Sequence, residues 1–159
     1  QTLGTSNFTC EWWEYIVAYS SSYFAIIHLG SLGDTSNFST KLGLRYELSG
    51  TRLRIGVAGT YLDFTGLTTA TGVWRYCAVV RNGNSWNFYQ NGVAVGGTVT
   101  DSVSVAASTS TGIIGGAYFG SGAGALYSNN GYITDLRFTI GQARYTANFT
   151  APTAPHRLK

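Results

Sequence analysis

The sequence has little charge, almost no proline and no methionine. Charged residues make up 11% of the 159 residues and proline occurs twice, against roughly 25% charged residues in an average soluble domain. No apolar run reaches the roughly 18 residues that a membrane helix requires, and the start has no signal-peptide pattern. Because 44% of the residues are hydrophobic, we expect a folded chain. Since it begins with Gln1, we expect a processed chain or an excerpt of a longer one.

The basic residues are scattered, although the formal net charge is +3. Arg52 and Arg54 share one face of a predicted strand, and Arg75 and Arg81 lie on another. A nucleic-acid-binding surface would need clustered cations. We therefore expect no nucleic-acid partner, and interpret these arginines as solvated strand faces and rims.

Cysteine is also scarce, with only Cys10 and Cys77 present. Both lie within predicted strands, so they could form one disulfide across the fold or remain two small buried thiols. Two cysteines without nearby histidines do not make a zinc site.

Two Asn-Gly pairs, Asn82-Gly83 and Asn91-Gly92, provide the clearest local signal. Asn-Gly is the preferred pair for a two-residue type I′ hairpin turn, because both central residues need positive φ. Residues rich in valine and aromatics flank both pairs and favour strands. The pattern predicts a three-stranded antiparallel meander over residues 73–100.

The rest of the chain alternates between predicted strands and turns, and contains no pattern for a helix of useful length. Strands are predicted at residues 8–19, 23–30, 41–48, 51–58, 60–66, 102–108, 112–116 and 132–141. Strands repeated about every ten residues indicate an all-β antiparallel sandwich or jelly roll. We predict one domain over residues 1–159, with a long loop at 117–131 and an irregular tail at 141–159. Tyr145 and Phe149 are expected to plug one end of the sandwich.

Residues 131–155, "GYITDLRFTIGQARYTANFTAPTAP", resemble the closing motif of concanavalin A-like, laminin G-type domains in bacteriophage virion proteins. "FTCEWW", "WRYCAVVRNGNSWNFYQNGVAVG" and "IIGG" follow the order of the same family. The resemblance covers nearly the whole chain. It implies a two-sheet jelly roll of the lectin/glucanase type, at the surface of a tail fibre, tailspike or capsid.

Pentraxins share this fold and carry a disulfide between the opening and middle strands. The resemblance places Cys77 at the matching position and Cys10 one residue away, which would turn the Cys10 side chain to the other face. Phage particles also assemble in a reducing cytoplasm. Both points favour free thiols.

Glycoside hydrolysis requires two carboxylates flanking the scissile bond. Only Glu11 and Glu14 come near this pattern, but their odd spacing directs them to opposite faces of a strand. We interpret them as rim or edge charges. His28 lies in an apolar strand, which favours a buried structural histidine, and no G-x-S-x-G motif occurs. No catalytic residue is therefore predicted.

The long loop contains residues suited to sugar binding, because aromatic faces and amides pair with sugar carbon and hydroxyl groups. The candidate ligand-binding residues are Tyr118, Phe119, Tyr127, Asn129 and Asn130, with Asp34 and Asn37 in a predicted opposing loop. The family's calcium site lies between two such loops, but residues 117–131 contain no Asp or Glu. Calcium prefers several carboxylates, so no metal or other cofactor is predicted.

We interpret the chain as a non-enzymatic virion protein that either attaches to a host-surface glycan or decorates the particle. Its expected partners are other virion proteins, further copies of itself and a host glycan, without membrane insertion. A glycan-binding module of a larger secreted protein or polysaccharide-degrading enzyme is the alternative. Contact with a neighbouring subunit remains a second role for the long loop.

Overall fold

The computed structural model describes residues 3–19, 23–29, 42–47, 50–106, 112–119 and 125–153. All regular structure in these ranges is β-strand, and no helix there is long and apolar enough to cross a membrane. The strands are β1 (Phe8–Ala18), β2 (Tyr23–Leu29), β3 (Leu42–Glu47), β4 (Arg52–Val57), β5 (Thr60–Thr65), β6 (Trp74–Asn82), β7 (Ser85–Gln90), β8 (Val93–Thr100), β9 (Ile113–Ile114), β10 (Gly116–Phe119), β11 (Ala125–Ser128) and β12 (Asn130–Ile140).

Two five-stranded antiparallel sheets form the sandwich. Sheet A has the order β12-β1-β6-β7-β8, and sheet B has the order β5-β4-β3-β2-β9. Strands β10 and β11 form a separate two-stranded pair that contacts β2. The predicted all-β jelly-roll sandwich is confirmed.

Alternation along the strands explains how the two sheets meet. In β3, Leu44 and Tyr46 point into the sandwich, whereas Arg45 and Glu47 point away from it. In sheet A, Trp12, Trp86 and Phe88 are fully buried on the inner face. Burial of apolar surface contributes about 25 cal/mol per Å², so these large aromatic side chains are a major source of the core's stability.

The meander has the predicted strands, with one turn displaced. Asn91 and Gly92 have φ of 50° and 82°, as a type I′ turn requires. The first turn is centred on Gly83 and Asn84, because Asn82 pairs with Ser85. Of these two central residues only Gly83 has positive φ, at 60°. Glycine at the first central position suits a type II′ turn, so the prediction of Asn82-Gly83 was off by one residue.

Two other local predictions were wrong. Residues 117–131 do not form one irregular loop, because Gly116–Phe119 pairs with Ala125–Ser128 and β12 begins at Asn130. The segment predicted as a strand at 102–108 contributes only an isolated bridge between Val105 and Gly4 in its described part.

The C-terminal tail packs on the outer face of sheet A and does not plug an end of the sandwich. The Tyr145 and Phe149 rings stack with centroids 3.6 Å apart, over Tyr76 and Tyr89 of the sheet. Phe149 N donates to Gly92 O at 2.9 Å. The second turn of the meander therefore provides a docking point for the tail.

Cys10 and Cys77 are both buried free thiols. Both belong to the core between the sheets, so the expected turn of Cys10 to the opposite face was wrong. The register pairs Cys77 with Trp12 and Cys10 with Val79. The two cysteines thus point inward but are offset by one inward-facing position along the sheet.

Candidate functional site

The structure brings part of the predicted sugar-binding set onto one hairpin. Tyr118 pairs with Leu126, and Phe119 pairs with Ala125, across β10 and β11. Tyr127 lies on the same hairpin, opposite Ala117. Asp34 and Asn37 lie outside the described residues. The proposed ligand role of this set stays a prediction.

The two asparagines that follow the hairpin differ in accessibility. The side-chain amide atoms of Asn129 are buried and make no hydrogen bond, while its backbone N donates to Gly115 O at 3.0 Å. Asn130 is exposed and pairs with Ala18 at the start of β12. In this conformation, Asn130 is the one whose side chain can be reached from solvent.

Glu11 and Glu14 point to opposite faces of β1, but they are not rim or edge charges. Strand β1 is internal to sheet A, and both carboxylates are buried. Glu11 lies beneath the tail and accepts hydrogen bonds from Tyr76, Tyr145 and Arg137. Burial alone would raise the pKa of Glu11, but these hydrogen bonds outweigh it and hold the pKa below its ordinary value.

Glu14 lies inside the sandwich and is fully engaged. Its Oε1 accepts from Arg75 Nη2 at 2.7 Å and from the Tyr46 hydroxyl at 2.8 Å, and its Oε2 accepts from Trp12 Nε1 at 2.8 Å. A buried carboxylate needs such partners because an unpaired charge in the core is strongly destabilising. This cluster therefore has a structural role.

Of the four arginines expected on solvated faces and rims, Arg75 and Arg81 are buried, and Arg52 and Arg54 are partly exposed. Arg75 forms an ion pair with Glu14. Arg81 is fully buried, with its guanidinium 4.9 Å from the centroid of the Trp86 ring. Arg45 is buried as well. These three arginines therefore belong to the packed fold and not to a solvated surface.

A cluster of charges on the outer face of sheet B is partly open to solvent. We call it the arginine–tyrosine face, and its members are Tyr23, Arg45, Glu47, Arg52, Arg54, Tyr61 and Asp63. They come from the adjacent strands β2, β3, β4 and β5. Because alternate residues of a strand share a face, the antiparallel register places these side chains next to one another.

Ion pairs hold this face in order. Arg45 and Arg54 lie directly opposite each other on neighbouring strands, which alone would be repulsive. Glu47 lies between them, pairing with Arg45 and with Arg54 Nη1 at 3.3 Å, and it also binds Arg52. Arg54 binds Asp63 with Nε and Nη2, each at 2.7 Å. Such a two-point pair fixes the guanidinium plane.

Two tyrosines stack with the guanidiniums. Arg45 lies 4.4 Å from the Tyr23 ring centroid, and Arg54 lies 4.6 Å from that of Tyr61. Cation–π contacts of this length are attractive. The Tyr61 side chain is 43% exposed, so a large part of it stays available to a ligand.

The electrostatics of the face favour an anion. Three guanidiniums surround two carboxylates, leaving one net positive charge. The hydrogen bond from Arg54 lowers the pKa of Asp63, so Asp63 stays ionised near neutral pH. Arg52 Nε is buried and has no hydrogen-bond partner. Glu47 and Asp63 are therefore both held as counter-ions of arginines.

The alternation of charged and apolar residues in the sequence predicts part of this face. Arg45 and Glu47 alternate with apolar residues, as do Arg52 and Arg54. That pattern correctly predicted shared strand faces. It did not reveal that Asp63 and Tyr61 would join them, because this depends on the pairing of β4 with β5.

A family model described as the concanavalin A-like lectin/glucanases superfamily, of laminin G type, matches residues 1–140. The chain belongs to this superfamily. Members of the concanavalin A-like superfamily share the two-sheet architecture seen here. Among the described residues, no three His, Cys, Asp or Glu side chains gather as metal ligands would.

Solved structures support the superfamily fold. The CBM40 module of the Ruminococcus gnavus IT-sialidase, bound to α2,3-sialyllactose, has a TM-score of 0.64 and 11% identity over 90% of this chain and 80% of that chain. Domain 4 of AbnA, a GH43 arabinanase from Geobacillus stearothermophilus in complex with arabinotriose, has a TM-score of 0.57 and 14% identity over 88% and 63%.

A protein from Bacteroides ovatus, provisionally described as carbohydrate binding, has a TM-score of 0.67 and 18% identity over 89% of this chain. The chain spans 39% of the length of that protein. At these identities the likeness shows the fold alone. None of the curated proteins matches the chain significantly.

Proposed function

We propose that the chain is a non-catalytic glycan-binding domain whose arginine–tyrosine face holds acidic sugars. The observation that carries the proposal is the set of three guanidiniums ordered by two carboxylates beside the partly exposed ring of Tyr61. Arg52, Arg54, Asp63 and Tyr61 are the partly exposed members that a ligand can approach, whereas Arg45 and Glu47 are buried.

The chemistry of the face suits a carboxylated sugar. A guanidinium has five N–H donors, so the partly exposed Arg52 and Arg54 retain donors beyond those bound to Glu47 and Asp63. An aromatic side chain offers its face or edge to the C–H groups of a pyranose ring, while its hydroxyl remains available for hydrogen bonding. The net positive charge attracts the anion, and the ordered ion pairs reduce the entropy lost on binding.

The relatives support a glycan ligand. One is a CBM40 module bound to sialyllactose and another is an arabinanase domain in complex with arabinotriose. The first ligand contains an acidic sugar and the second does not. The surplus arginine of this chain favours the acidic class.

The carboxylate arrangement favours binding over hydrolysis. Glu11 and Glu14 are on opposite faces of β1, and each is enclosed by donors. Glu47 and Asp63 are paired with arginines. A glycosidase needs one carboxyl group that can protonate the leaving oxygen, and the hydrogen bond from Arg54, which lowers the pKa of Asp63, opposes that state in Asp63.

Two biological settings fit this role. The closing motif at residues 131–155 resembles phage virion domains, which supports host-surface attachment or particle decoration. The partial coverage of the Bacteroides ovatus protein supports a module within a longer chain. A specific antibody would separate the two. Labelling at regular positions on intact particles supports the virion setting, and detection only in a secreted enzyme supports the module.

Calorimetry with α2,3-sialyllactose, and with lactose as the neutral comparison, tests whether the arginine–tyrosine face binds acidic sugars. A glycan array extends the test to other acidic glycans. We expect Arg52→Gln to weaken acidic binding. Asp63→Asn should strengthen it by about two- to five-fold, because a nearby anion is removed while the asparagine oxygen can still accept a hydrogen bond from Arg54. Val93→Ala, on the exposed end of β8, is the control. Acidic-glycan binding that both Arg52→Gln and Asp63→Asn leave unchanged, or no binding to any acidic glycan, would reject the proposal.

A further inference from the structure

Three aromatic residues form a continuous row on the outer face of sheet A. Tyr15 of β1 lies directly opposite Tyr132 of β12 on one side and Trp74 of β6 on the other. The ring centroids of Tyr15 and Trp74 are 5.6 Å apart, and those of Tyr15 and Tyr132 are 6.0 Å apart. We call this set the aromatic row.

The aromatic row is open to solvent. Tyr132 is 65% exposed and Trp74 is 48% exposed. Val17, two residues after Tyr15 on β1, and Val73, which precedes Trp74 in the sequence, are also exposed. Large apolar side chains gathered on one surface mark an interaction site more often than single exposed ones do.

The neighbouring part of this sheet face shows what kind of group it accepts. Trp13 and Tyr76 continue the aromatic surface, with centroids 5.4 Å apart. There the chain covers its own sheet with two flat rings, since Phe149 packs against Tyr76 at 6.1 Å and stacks on Tyr145. The described part of the tail, residues 141–153, therefore occupies one part of the outer face and leaves the row uncovered.

We propose that the aromatic row binds uncharged pyranose units of a glycan chain, as a second site on the sheet opposite the arginine–tyrosine face. This inference rests on the proposed glycan-binding function and extends it. The row contains no charged side chain, and the hydroxyls of Tyr15 and Tyr132 can hydrogen-bond to sugar hydroxyls. Aromatic faces provide the apolar contact for the C–H face of a pyranose.

The size of the row argues for a small ligand rather than a second copy of the chain. Complete burial of the row and its two valines would remove on the order of 500 Å² from solvent. A stable protein interface buries about 800 Å² on each partner. Two or three sugar units match the smaller area.

Two sites on opposite outer faces would let one domain hold two glycan strands. Sheets in a sandwich are stacked about 10 Å apart, and side chains add to that separation. A single short oligosaccharide therefore cannot reach both the row and the arginine–tyrosine face. Acidic and neutral binding should consequently be independent of each other.

Tryptophan fluorescence provides a direct test. Of the four tryptophans, Trp12 and Trp86 are fully buried and Trp13 is half-buried, which leaves Trp74 as the most accessible. Titration with neutral hexopyranose oligosaccharides of three to six units, including gluco-, manno-, galacto- and N-acetylglucosamine series, should shift its emission. Trp74→Phe should remove most of that shift.

Affinity measurements with matched variants then identify the surface. We expect Trp74→Ala or Tyr132→Ala to weaken neutral-glycan binding about tenfold, because one aromatic contact is lost. Tyr132→Phe retains the ring and should therefore weaken neutral-glycan binding less than Tyr132→Ala does. Val93→Ala removes exposed apolar area outside the row and should change nothing.

The outcomes separate this inference from the proposed function. Neutral binding that requires Trp74, with or without acidic binding, supports the row. Acidic binding alone, or neutral binding unaffected by Trp74→Ala, overturns it. Sedimentation that shows a dimer abolished by Trp74→Ala would also overturn it, because the row would then be a contact between copies of the chain.

Discussion

Replacement of Glu11 by glutamine tests how the tail is held on sheet A. The Glu11 side chain is buried beneath the tail, with its carboxylate between Tyr145, whose hydroxyl donates at 2.6 Å, and Arg137. Arg144 Nε approaches the same carboxylate at 3.5 Å. Glu11→Gln keeps the shape of the side chain and removes its charge.

The size of the effect follows from the partners. Breaking a buried ion pair by removing one charge costs about 3–5 kcal/mol, and the glutamine oxygen can still accept from the tyrosines. Arg137 is 29% exposed, so water can solvate it in the variant. We therefore expect a loss of about 2–3 kcal/mol in the free energy of unfolding at pH 7. This is a large share of the roughly 5–15 kcal/mol typical of a domain.

The pH dependence has a defined sign. The folded pKa of Glu11 is below its unfolded value, because the hydrogen bonds from Arg137, Tyr145 and Tyr76 outweigh burial. The carboxylate's contribution is therefore complete above the unfolded pKa and is lost as the pH falls through the folded pKa. The wild type and Glu11→Gln should differ most near neutral pH, and the difference should shrink in acid.

Urea unfolding of both proteins from pH 7 down to pH 2.5 measures this difference. Tyr145→Phe is the matched control, since it removes one hydroxyl donor and should cost about 1 kcal/mol. A deficit for Glu11→Gln that stays the same at every pH would refute the reasoning, because it would show that shape rather than charge matters.

Other expectations concern the backbone and the thiols. Gly92→Ala should cost about 2–4 kcal/mol, because a Cβ there would lie 1.9 Å from the Phe149 backbone oxygen at φ 82°. Gly59→Ala, at φ 85° with nothing within 4 Å, should cost only about 1–2 kcal/mol, and equal losses in urea unfolding would contradict tail docking at Gly92. Burial raises the pKa of the Cys10 and Cys77 thiols. Mass spectrometry should find both unmodified by iodoacetamide until urea unfolds the protein, whereas rapid native labelling would contradict their burial.

Local signals in the sequence were sufficient to predict the strands and, for many of them, which side chains share a face. Asn91-Gly92 identified a turn because both residues adopt positive φ. Alternation around Arg45 and Arg54 identified the outer faces of β3 and β4. The first turn, at Gly83-Asn84, was predicted one residue too early, because the overlapping pairs Asn82-Gly83 and Gly83-Asn84 can each form a two-residue turn.

The candidate sites required information that a local pattern does not contain. The spacing of Glu11 and Glu14 predicted opposite faces, but not that β1 would be internal and both carboxylates buried. The hairpin at Gly116–Phe119 and Ala125–Ser128 was missed because its glycine-rich sequence has no clear period.

By itself, the sequence determined the class of fold, most strand positions and the separation of polar from apolar faces, since these depend on neighbours along the chain. Only the tertiary structure decided which strands lie side by side. That choice places Tyr15 between Trp74 and Tyr132 and brings Asp63 to Arg54. Such contacts join residues distant in sequence, so their positions depend on packing and register across the whole sandwich.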